Sequence, residues 1–272
     1  RVISGRIAND VGASVSATAV DYDGDGWPDI YVGNGGGHSS ASNFLYRNNG
    51  DGTFARTNVA GVGTDLGKTI AAAWGDYDND GFMDLVVAHW PDEKNFLYRN
   101  NGGGQFTKIT QGPIVMGSGQ LGGCVWGDYD RDGWLDLFVA MEIGNHRPYR
   151  NNRDGTFTRA ADLPTAGKGT NPTWIDYDND GFQDLFVPAW NNSGKNALYH
   201  NNRGSSFTRI TNSPIANEGG QSLSASWGDY DNDGFADLFV ANGNYDSGQH
   251  RDFLYHNNGD GTFTKITTGV IA

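Results

Sequence analysis

The chain has 272 residues, of which 41 are Gly and 12% are aromatic, and its formal net charge at pH 7 is −13. Its single cysteine, Cys124, excludes an intramolecular disulfide. No apolar run approaches the roughly 20 residues of a membrane-spanning helix, and no basic stripe accompanies the aromatic residues. Composition therefore favours one globular domain that neither inserts into a membrane nor binds nucleic acid.

The negative charge is concentrated in five short segments. They contain twenty of the 32 Asp and Glu residues, whereas the remaining 12 acids are outnumbered by 19 Lys and Arg. Five bound divalent ions would reduce the net charge to −3. The acidity therefore indicates a capacity to bind metal.

These segments mark an internal repeat, because they begin 48 to 55 residues apart, at Asp21, Asp76, Asp128, Asp176 and Asp229. A second motif, Asn-Asn followed by a Gly-rich turn and Phe, keeps the same spacing. Periods of this length indicate repeat architectures in which each unit is one supersecondary structure.

Each unit predicts four short strands in chain order. The first is small and apolar and leads into the Asp-rich segment; the second is a continuous apolar run such as 137–140, typical of a strand buried on both faces. The third resembles 96–99, and a tight Asn-Gly or Asp-Gly turn leads into a fourth such as 157–159. No helical periodicity interrupts this pattern.

Four strands per unit predict an all-β, five-bladed β-propeller with four antiparallel strands and one calcium loop per blade. We assign one domain, 1–272. Its repeats are roughly 13–66, 67–118, 119–167, 168–219 and 220–272, with 1–12 overlapping the closure of the ring. Because 1–31 align without a gap on 209–239, either terminus can supply the last outer strand.

Each Asp-rich loop has carboxylates at positions 1, 3, 5 and 9 and Gly at position 6. Hard oxygen ligands around a sharp turn are what Ca²⁺ requires, whereas transition metals favour His or Cys. Strands flank the loop and Asp stands at position 9, so these are not EF-hands. The predicted ligands are Asp21, Asp23, Asp25, Asp29, Asp76, Asp78, Asp80, Asp84, Asp128, Asp130, Asp132, Asp136, Asp176, Asp178, Asp180, Asp184, Asp229, Asp231, Asp233 and Asp237.

The five ions are predicted to be structural. The alternative is an Asp-rich turn that binds only its own backbone, but four carboxylates in nine residues repel one another without a cation. A catalytic centre would break the symmetry at one loop, and the loops are nearly identical. The aromatic residue at position 7 is expected to pack against a neighbouring strand or blade.

The sequence Asp-Tyr-Asp-x-Asp-Gly-x-x-Asp-Leu, followed by Asn-x-Leu-Tyr-Arg-Asn-Asn-Gly-Asp-Gly-Thr-Phe, resembles the FG-GAP/VCBS repeat family. The family includes integrin α-subunit propellers and secreted bacterial proteins, and the resemblance covers essentially the whole chain. It implies calcium at the Asp loops and a secreted or cell-surface location. Integrin propellers have seven blades, and the Phe-Gly and Gly-Ala-Pro segments are not evident, which favours the VCBS branch, including cartilage-acidic-protein-like proteins.

A ligand is expected at the loops between the second and third strands, where the repeats diverge. Trp90 and Trp190 occupy matching positions in their repeats. Their rings could stack on a sugar or contact a protein partner; the alternative is that they pack at the rim of the domain. His200 and His256 only replace Arg of Tyr-Arg-Asn-Asn, and we assign them no chemistry. The ligand-binding candidates are His89, Trp90, Glu142, His146, Trp190 and Tyr245.

We therefore predict a monomeric, secreted or cell-surface module that binds carbohydrate or protein, with structural calcium and no catalytic residues. Two alternatives stay open. The first is an enzyme resembling polysaccharide lyases or sugar dehydratases, with acid–base groups among His89, Glu142, His146 and Tyr245. The second is a purely structural or engineered repeat.

Overall fold

The computed structural model describes residues 5–36, 39–91, 93–165, 167–190, 194–243 and 251–268. Nearly all regular structure within these ranges is β-strand. The described helices have four residues each: α1 (Arg6–Asn9), α2 (Pro113–Met116) and α3 (Pro214–Asn217). None of them is long and apolar enough to cross a membrane.

The strands follow the predicted order in every repeat. The first repeat contains β1 (Ser14–Val20), β2 (Asp29–Asn34), β3 (Ala41–Ser42), β4 (Phe44–Asn48) and β5 (Phe54–Thr57). The second contains β6 (Leu66–Gly67), β7 (Thr69–Gly75), β8 (Asp84–His89), β9 (Phe96–Asn100) and β10 (Phe106–Ile109).

The remaining repeats have four strands each. The third contains β11 (Leu121–Gly127), β12 (Asp136–Met141), β13 (Arg147–Asn151) and β14 (Phe157–Arg159). The fourth contains β15 (Thr173–Ile175), β16 (Asp184–Val187), β17 (Ala197–Asn201) and β18 (Phe207–Ile210). The fifth contains β19 (Ser222–Gly228), β20 (Asp237–Asn242), β21 (Phe253–Asn257) and β22 (Phe263–Lys265).

Each repeat forms one four-stranded sheet in which sequential strands are neighbours. The orders are β1-β2-β4-β5, β7-β8-β9-β10, β11-β12-β13-β14, β15-β16-β17-β18 and β19-β20-β21-β22, and β3 pairs with β6 in a small extra sheet. Neighbouring strands within these sheets pair antiparallel. The predicted four-stranded antiparallel unit is confirmed.

The chain falls into two compact units: residues 1–126 with 149–158, and residues 127–148 with 159–272. In both units the second strand of a sheet is its most buried one. Every residue of β8 and every residue of β16 is buried. This explains why their sequences read as continuous apolar runs rather than as alternating patterns.

Aromatic residues join consecutive sheets inside each unit. In the first unit the ring of Tyr77 stacks on Trp126, with ring centroids 5.8 Å apart, and lies 5.4 Å from Phe157. In the second unit Tyr129 lies 6.2 Å from Trp174 and 5.4 Å from Phe207. The Trp before the Asp loop and the Phe after the Gly-rich turn therefore form one contact surface for the Tyr of the preceding repeat.

The segments between sheets are held by a repeated cation, acid and Tyr arrangement. The Tyr98 hydroxyl donates to Asp65 at 2.9 Å, and Lys108 Nζ contacts the same carboxylate at 2.5 Å. Lys108 Nζ also lies 3.4 Å from the centroid of the Phe96 ring. The same arrangement occurs among Tyr255, Glu218, Lys265 and Phe253.

In the second to fifth repeats a buried Asn at the end of the third strand supplies the polar link between sheets. Asn201 Nδ2 donates to the carbonyl of Tyr129 in the preceding repeat at 2.7 Å and to the carbonyl of Gln183 at 2.8 Å. Its Oδ1 accepts the N–H of Gly204 at 2.7 Å. Asn100 makes the same bond to Tyr22 at 2.8 Å. The first Asn of the Asn-Asn motif therefore connects neighbouring repeats.

Replacing this Asn should destabilise the protein far more than replacing the Asn that follows it. Asn201→Ala removes the side-chain donor to the Tyr129 and Gln183 carbonyls, the first of these bonds being buried, at a cost of about 2–4 kcal/mol. Asn202→Ala, which removes only contacts to Ser206 and Thr208 in an exposed turn, should cost less than about 1 kcal/mol. Urea unfolding with excess calcium measures both; equal costs would contradict the role of Asn201.

Candidate metal centres

The Asp at position 1 folds each loop. In the second repeat Asp76 Oδ1 accepts the N–H of Asp80 at 3.1 Å and Oδ2 accepts the N–H of Gly81 at 2.9 Å. Equivalent bonds of 2.8–3.1 Å occur in the other four loops. Gly81 has φ of 90°, in the left-handed region that favours Gly, so position 6 requires this residue.

The Asp at position 9 is the most buried member of each loop and begins the second strand. Asp84 Oδ2 accepts the N–H of Tyr77 at 3.0 Å, and Oδ1 accepts the N–H of Asn100 at 2.7 Å. Even so, burial raises the pKa of Asp84 to about 7, helped by the charges of Asp78 and Asp80. The pKa of Asp184 is raised to about 7 for the same main reason. A cation beside these carboxylates would offset the cost of ionising them.

The Asp at position 3 projects a carboxylate towards the centre of the loop. In the first repeat Asp23 Oδ2 accepts from Arg47 Nε at 2.6 Å, and in the second Asp78 contacts Arg99. The other oxygen of each carboxylate, Oδ1, is buried without a hydrogen-bond partner. Such an oxygen fits a metal ligand, because a buried acceptor left unpaired is costly.

The predicted ligands converge. In the first three loops the Asp residues at positions 1, 3 and 9 each bring a carboxylate oxygen within 4.8 Å of the others. These groups are Asp21, Asp23 and Asp29; Asp76, Asp78 and Asp84; and Asp128, Asp130 and Asp136. Several carboxylate oxygens around one point form the donor set that Ca²⁺ takes.

The aromatic residue at position 7 packs on the turn between the third and fourth strands. The Trp27 ring lies against the Cα of Gly50, where an added Cβ would meet Trp27 Nε1 at 2.9 Å. Phe82 covers Gly102 and Phe235 covers Gly259 in the same way. The ordered loop is thereby joined to its own sheet.

Several ligand-binding candidates lie inside the protein. His89 and His146 are 0% and 1% exposed. His89 Nδ1 lies 2.8 Å from the carbonyl of Lys94, and His146 Nδ1 accepts the N–H of Met141 at 3.0 Å. Their rings fix the loop after the second strand and do not face solvent.

The other candidates lie nearer the surface. Trp90 and Trp190 are half-buried, and Lys168 Nζ lies 4.7 Å from the centroid of the Trp190 ring. Lys168 also pairs with Glu142 at 3.9 Å, so the structure brings Trp190 and Glu142 to one place. Tyr245 lies outside the described residues.

Two residues without an assigned role stand at the metal loops. His200 Nδ1 lies 3.2 Å from Asp178 Oδ2, and His256 Nδ1 lies 3.3 Å from Asp231 Oδ2. Groups of potential metal ligands in the fourth and fifth repeats include these two imidazoles. The sequence signal was present: both replace the Arg of the third strand, and a change at one position of a repeat can alter its site.

A family model described as FG-GAP-like repeat matches residues 21–87, 76–139, 128–187, 189–240 and 229–272. The chain belongs to the FG-GAP-like repeat family. This confirms the resemblance and the fold class, which is all-β with five propeller blades of four strands. The domain boundaries and the closure of the ring stay predictions.

Two solved structures show the same fold. A lectin of Agrocybe aegerita that recognises non-reducing terminal N-acetylglucosamine matches with a TM-score of 0.60 and 21% identity, over 95% of this chain and 67% of that one. The biofilm matrix protein Bap1 of V. cholerae matches with a TM-score of 0.57 and 14% identity, over 94% of this chain and 40% of Bap1. No curated protein sequence matched the chain.

Removing the position 3 carboxylate of one FG-GAP-like loop should weaken the protein only when metal is present. Asp78→Asn removes a charge from the loop, and the contact it weakens is a side-chain ion pair with Arg99, so the melting temperature in EDTA should change by less than a few degrees. In excess calcium the variant should melt about 5 °C below the wild type.

Asp51→Asn is the matched control for that comparison, since Asp51 is an exposed Asp in a turn that binds Thr53. It should melt like the wild type in both buffers. A calcium-dependent loss for Asp51→Asn, or none for Asp78→Asn, would contradict the assignment.

Acid should destabilise the protein through His146. Burial, with the charge of Arg209, lowers the pKa of His146 to about 4 from 6.5. Between these values the unfolded chain binds a proton that the folded protein does not, so stability falls as pH falls from about 6.5 to 4, by about 3 kcal/mol. Urea unfolding of wild type and His146→Gln at pH 7 and 4.5 measures this. Equal losses in both proteins would contradict it.

Proposed function

We propose that this protein is a calcium-stabilised β-propeller module that binds carbohydrate. The observation that carries the metal part is the set of convergent carboxylates at the Asp loops, with a buried Asp at position 9 of each, above all Asp84 and Asp184, which are 0% exposed. Buried carboxylates without a cation are unfavourable, and oxygen donors at alternating positions suit Ca²⁺. The ions hold the loops; no catalytic step is assigned to them.

The fit between the loops and calcium extends beyond the carboxylates. Position 5 is also fixed, since Asp80 Oδ1 accepts the N–H of Phe82 at 3.0 Å. Backbone bonds to positions 1, 5 and 9 therefore hold three carboxylates in place before an ion enters. Such pre-organisation reduces the cost of ordering the ligands on binding.

The carbohydrate site is proposed at the end of the sheets opposite the metal loops. In the second unit the aromatic ring of Trp190 lies beside Lys168, which forms an ion pair with Glu142 at 3.9 Å. The same three residue types meet in the first unit. There the backbone N–H of Trp90 donates to the Lys68 carbonyl at 3.0 Å, and Lys68 Nζ lies 3.9 Å from Glu93. Aromatic rings beside polar groups suit sugar rings and their hydroxyls.

An extracellular location is part of the proposal. Extracellular calcium is millimolar, which keeps sites of modest affinity filled. The lectin and biofilm matrix protein that share the fold support a role in recognition outside the cell.

Calcium dependence is tested by melting the purified protein in excess EDTA and after calcium is restored. Because bound ions stabilise only the folded state, the melting temperature should rise by more than about 10 °C and increase with calcium concentration. After loading with calcium as the only divalent ion, elemental analysis should find about five calcium ions per chain. Identical melts with no bound metal would refute the metal part.

Carbohydrate binding is tested on a glycan array that includes terminal N-acetylglucosamine, with calcium present throughout. Trp190→Ala or Trp90→Ala should weaken binding to the best glycan at least tenfold, as expected when a stacking ring is removed. Trp27→Ala is the control, because Trp27 is 51% exposed and lies at the other end of its sheet. Binding to proteins alone, or equal losses in all three variants, would refute the carbohydrate site.

A further inference from the structure

The third strand places a different residue at the metal loop in different repeats. In Tyr-x-Asn the variable residue is Arg47, Arg99 and Arg150 in the first three repeats, but His200 and His256 in the last two. All five follow the buried Tyr of this strand. The substitution therefore changes the chemistry beside the loop without altering the strand that carries it.

The Arg residues act as cations towards the loop. Arg47 Nε donates to Asp23 Oδ2 at 2.6 Å and its Nη2 donates to Asp25 Oδ2 at 2.7 Å. A guanidinium has five N–H donors and no acceptor, so it neutralises carboxylates and cannot bind a metal ion. The first two loops therefore offer only oxygen ligands from these side chains.

The His residues present a ring nitrogen to the same place. His200 Nδ1 lies 3.2 Å from Asp178 Oδ2 and 3.3 Å from Asp184 Oδ1. His256 Nδ1 lies 3.3 Å from both Asp231 Oδ2 and Asp237 Oδ1. Both Nδ1 atoms are fully buried and make no hydrogen bond of acceptable geometry. Each Nδ1 is therefore a buried polar atom that lacks a hydrogen-bond partner and lies beside two carboxylate oxygens.

These separations fit ligands of one ion. Two ligands with metal bonds of about 2.0–2.2 Å stand roughly 3.0–3.4 Å apart in tetrahedral or octahedral geometry. Asp178, Asp184 and His200 each offer an atom within 4.8 Å of the others, as do Asp231, Asp233 and His256. An imidazole nitrogen with carboxylate oxygens suits first-row transition metals, whereas Ca²⁺ prefers oxygen alone.

We propose that the fourth and fifth loops are sites for a transition-metal dication such as Zn²⁺, with His200 and His256 as ligands. The transition-metal proposal rests on one part of the proposed function, namely that the Asp loops bind metal. To the calcium ions it adds a second kind of ion. The fourth site is the tighter one, because Asp178 is 24% exposed at its side chain whereas Asp231 is 37% exposed. Water competes less for the more enclosed site.

The test is a Co²⁺ titration of the full-length protein in excess calcium, followed by the visible absorption of bound Co²⁺ and by metal analysis after gel filtration. Co²⁺ is the spectroscopic probe, and Zn²⁺ should displace it. The wild type should retain two Co²⁺ ions per chain. His200→Arg should retain one, and the double variant with His256→Arg should retain none, with affinity at each altered loop reduced at least tenfold.

Both variants carry the residue that the first two loops tolerate, so they should fold, and a melt in calcium checks this. Arg47→His provides the converse: it should create a third Co²⁺ site in the first loop. Co²⁺ retention that is unchanged in the double variant, or absent from the calcium-loaded wild type, would overturn the proposal.

The same samples separate this proposal from the calcium assignment. If Co²⁺ binds through the two His residues while calcium leaves the melt unchanged, the calcium role fails and the transition-metal sites stand. If calcium stabilises all variants and Co²⁺ is not retained, His200 and His256 only neutralise carboxylates as Arg does, and the transition-metal sites fail.

Discussion

The buried carboxylate at position 9 of each loop is the interaction on which the rest of the structure depends. Asp184 receives the N–H of Asn201 from the third strand at 2.7 Å and the N–H of Tyr177 from its own loop at 3.3 Å. The same Asn reaches the carbonyl of Tyr129 in the preceding repeat. One buried negative charge, which is unfavourable without partners, thus holds together the loop, its own sheet and the sheet of the preceding repeat. Any partner that stabilises this charge stabilises all three.

Neighbouring repeats are held together both by apolar packing and by hydrogen bonds. Tyr77 and Tyr129 each pack their ring against the Trp and Phe of the following repeat, while their backbone carbonyls accept from its Asn side chain. The ring supplies buried area and the carbonyl supplies direction. Because the Tyr lies inside the metal loop, disorder in the loop would loosen both contacts.

Much of the fold was predictable, because the period near 50 residues, the buried second strand and the Asn-Gly turns are local patterns. The convergence of Asp carboxylates was also predictable, since those of each loop fall within nine residues. The burial of His146 was not: its sequence lies in a polar, divergent loop, and only the tertiary structure places its ring beside Phe138 and Tyr199. The approach of His200 to Asp178, its neighbour in space but 22 residues away in sequence, depends on the pairing of the second and third strands, which local spacing does not encode.

The head-to-tail bond between repeats also governs how such a chain can change in length. From the second repeat to the fifth, each repeat donates through its Asn to the Tyr carbonyl of the repeat before it, as Asn100 does to Tyr22 and Asn257 does to Tyr177. Duplicating or deleting one whole repeat by recombination therefore restores every donor and acceptor at the new junction. An insertion or deletion of any other size leaves an Asn donor or a Tyr carbonyl without its partner, so this architecture evolves by gain or loss of whole repeats.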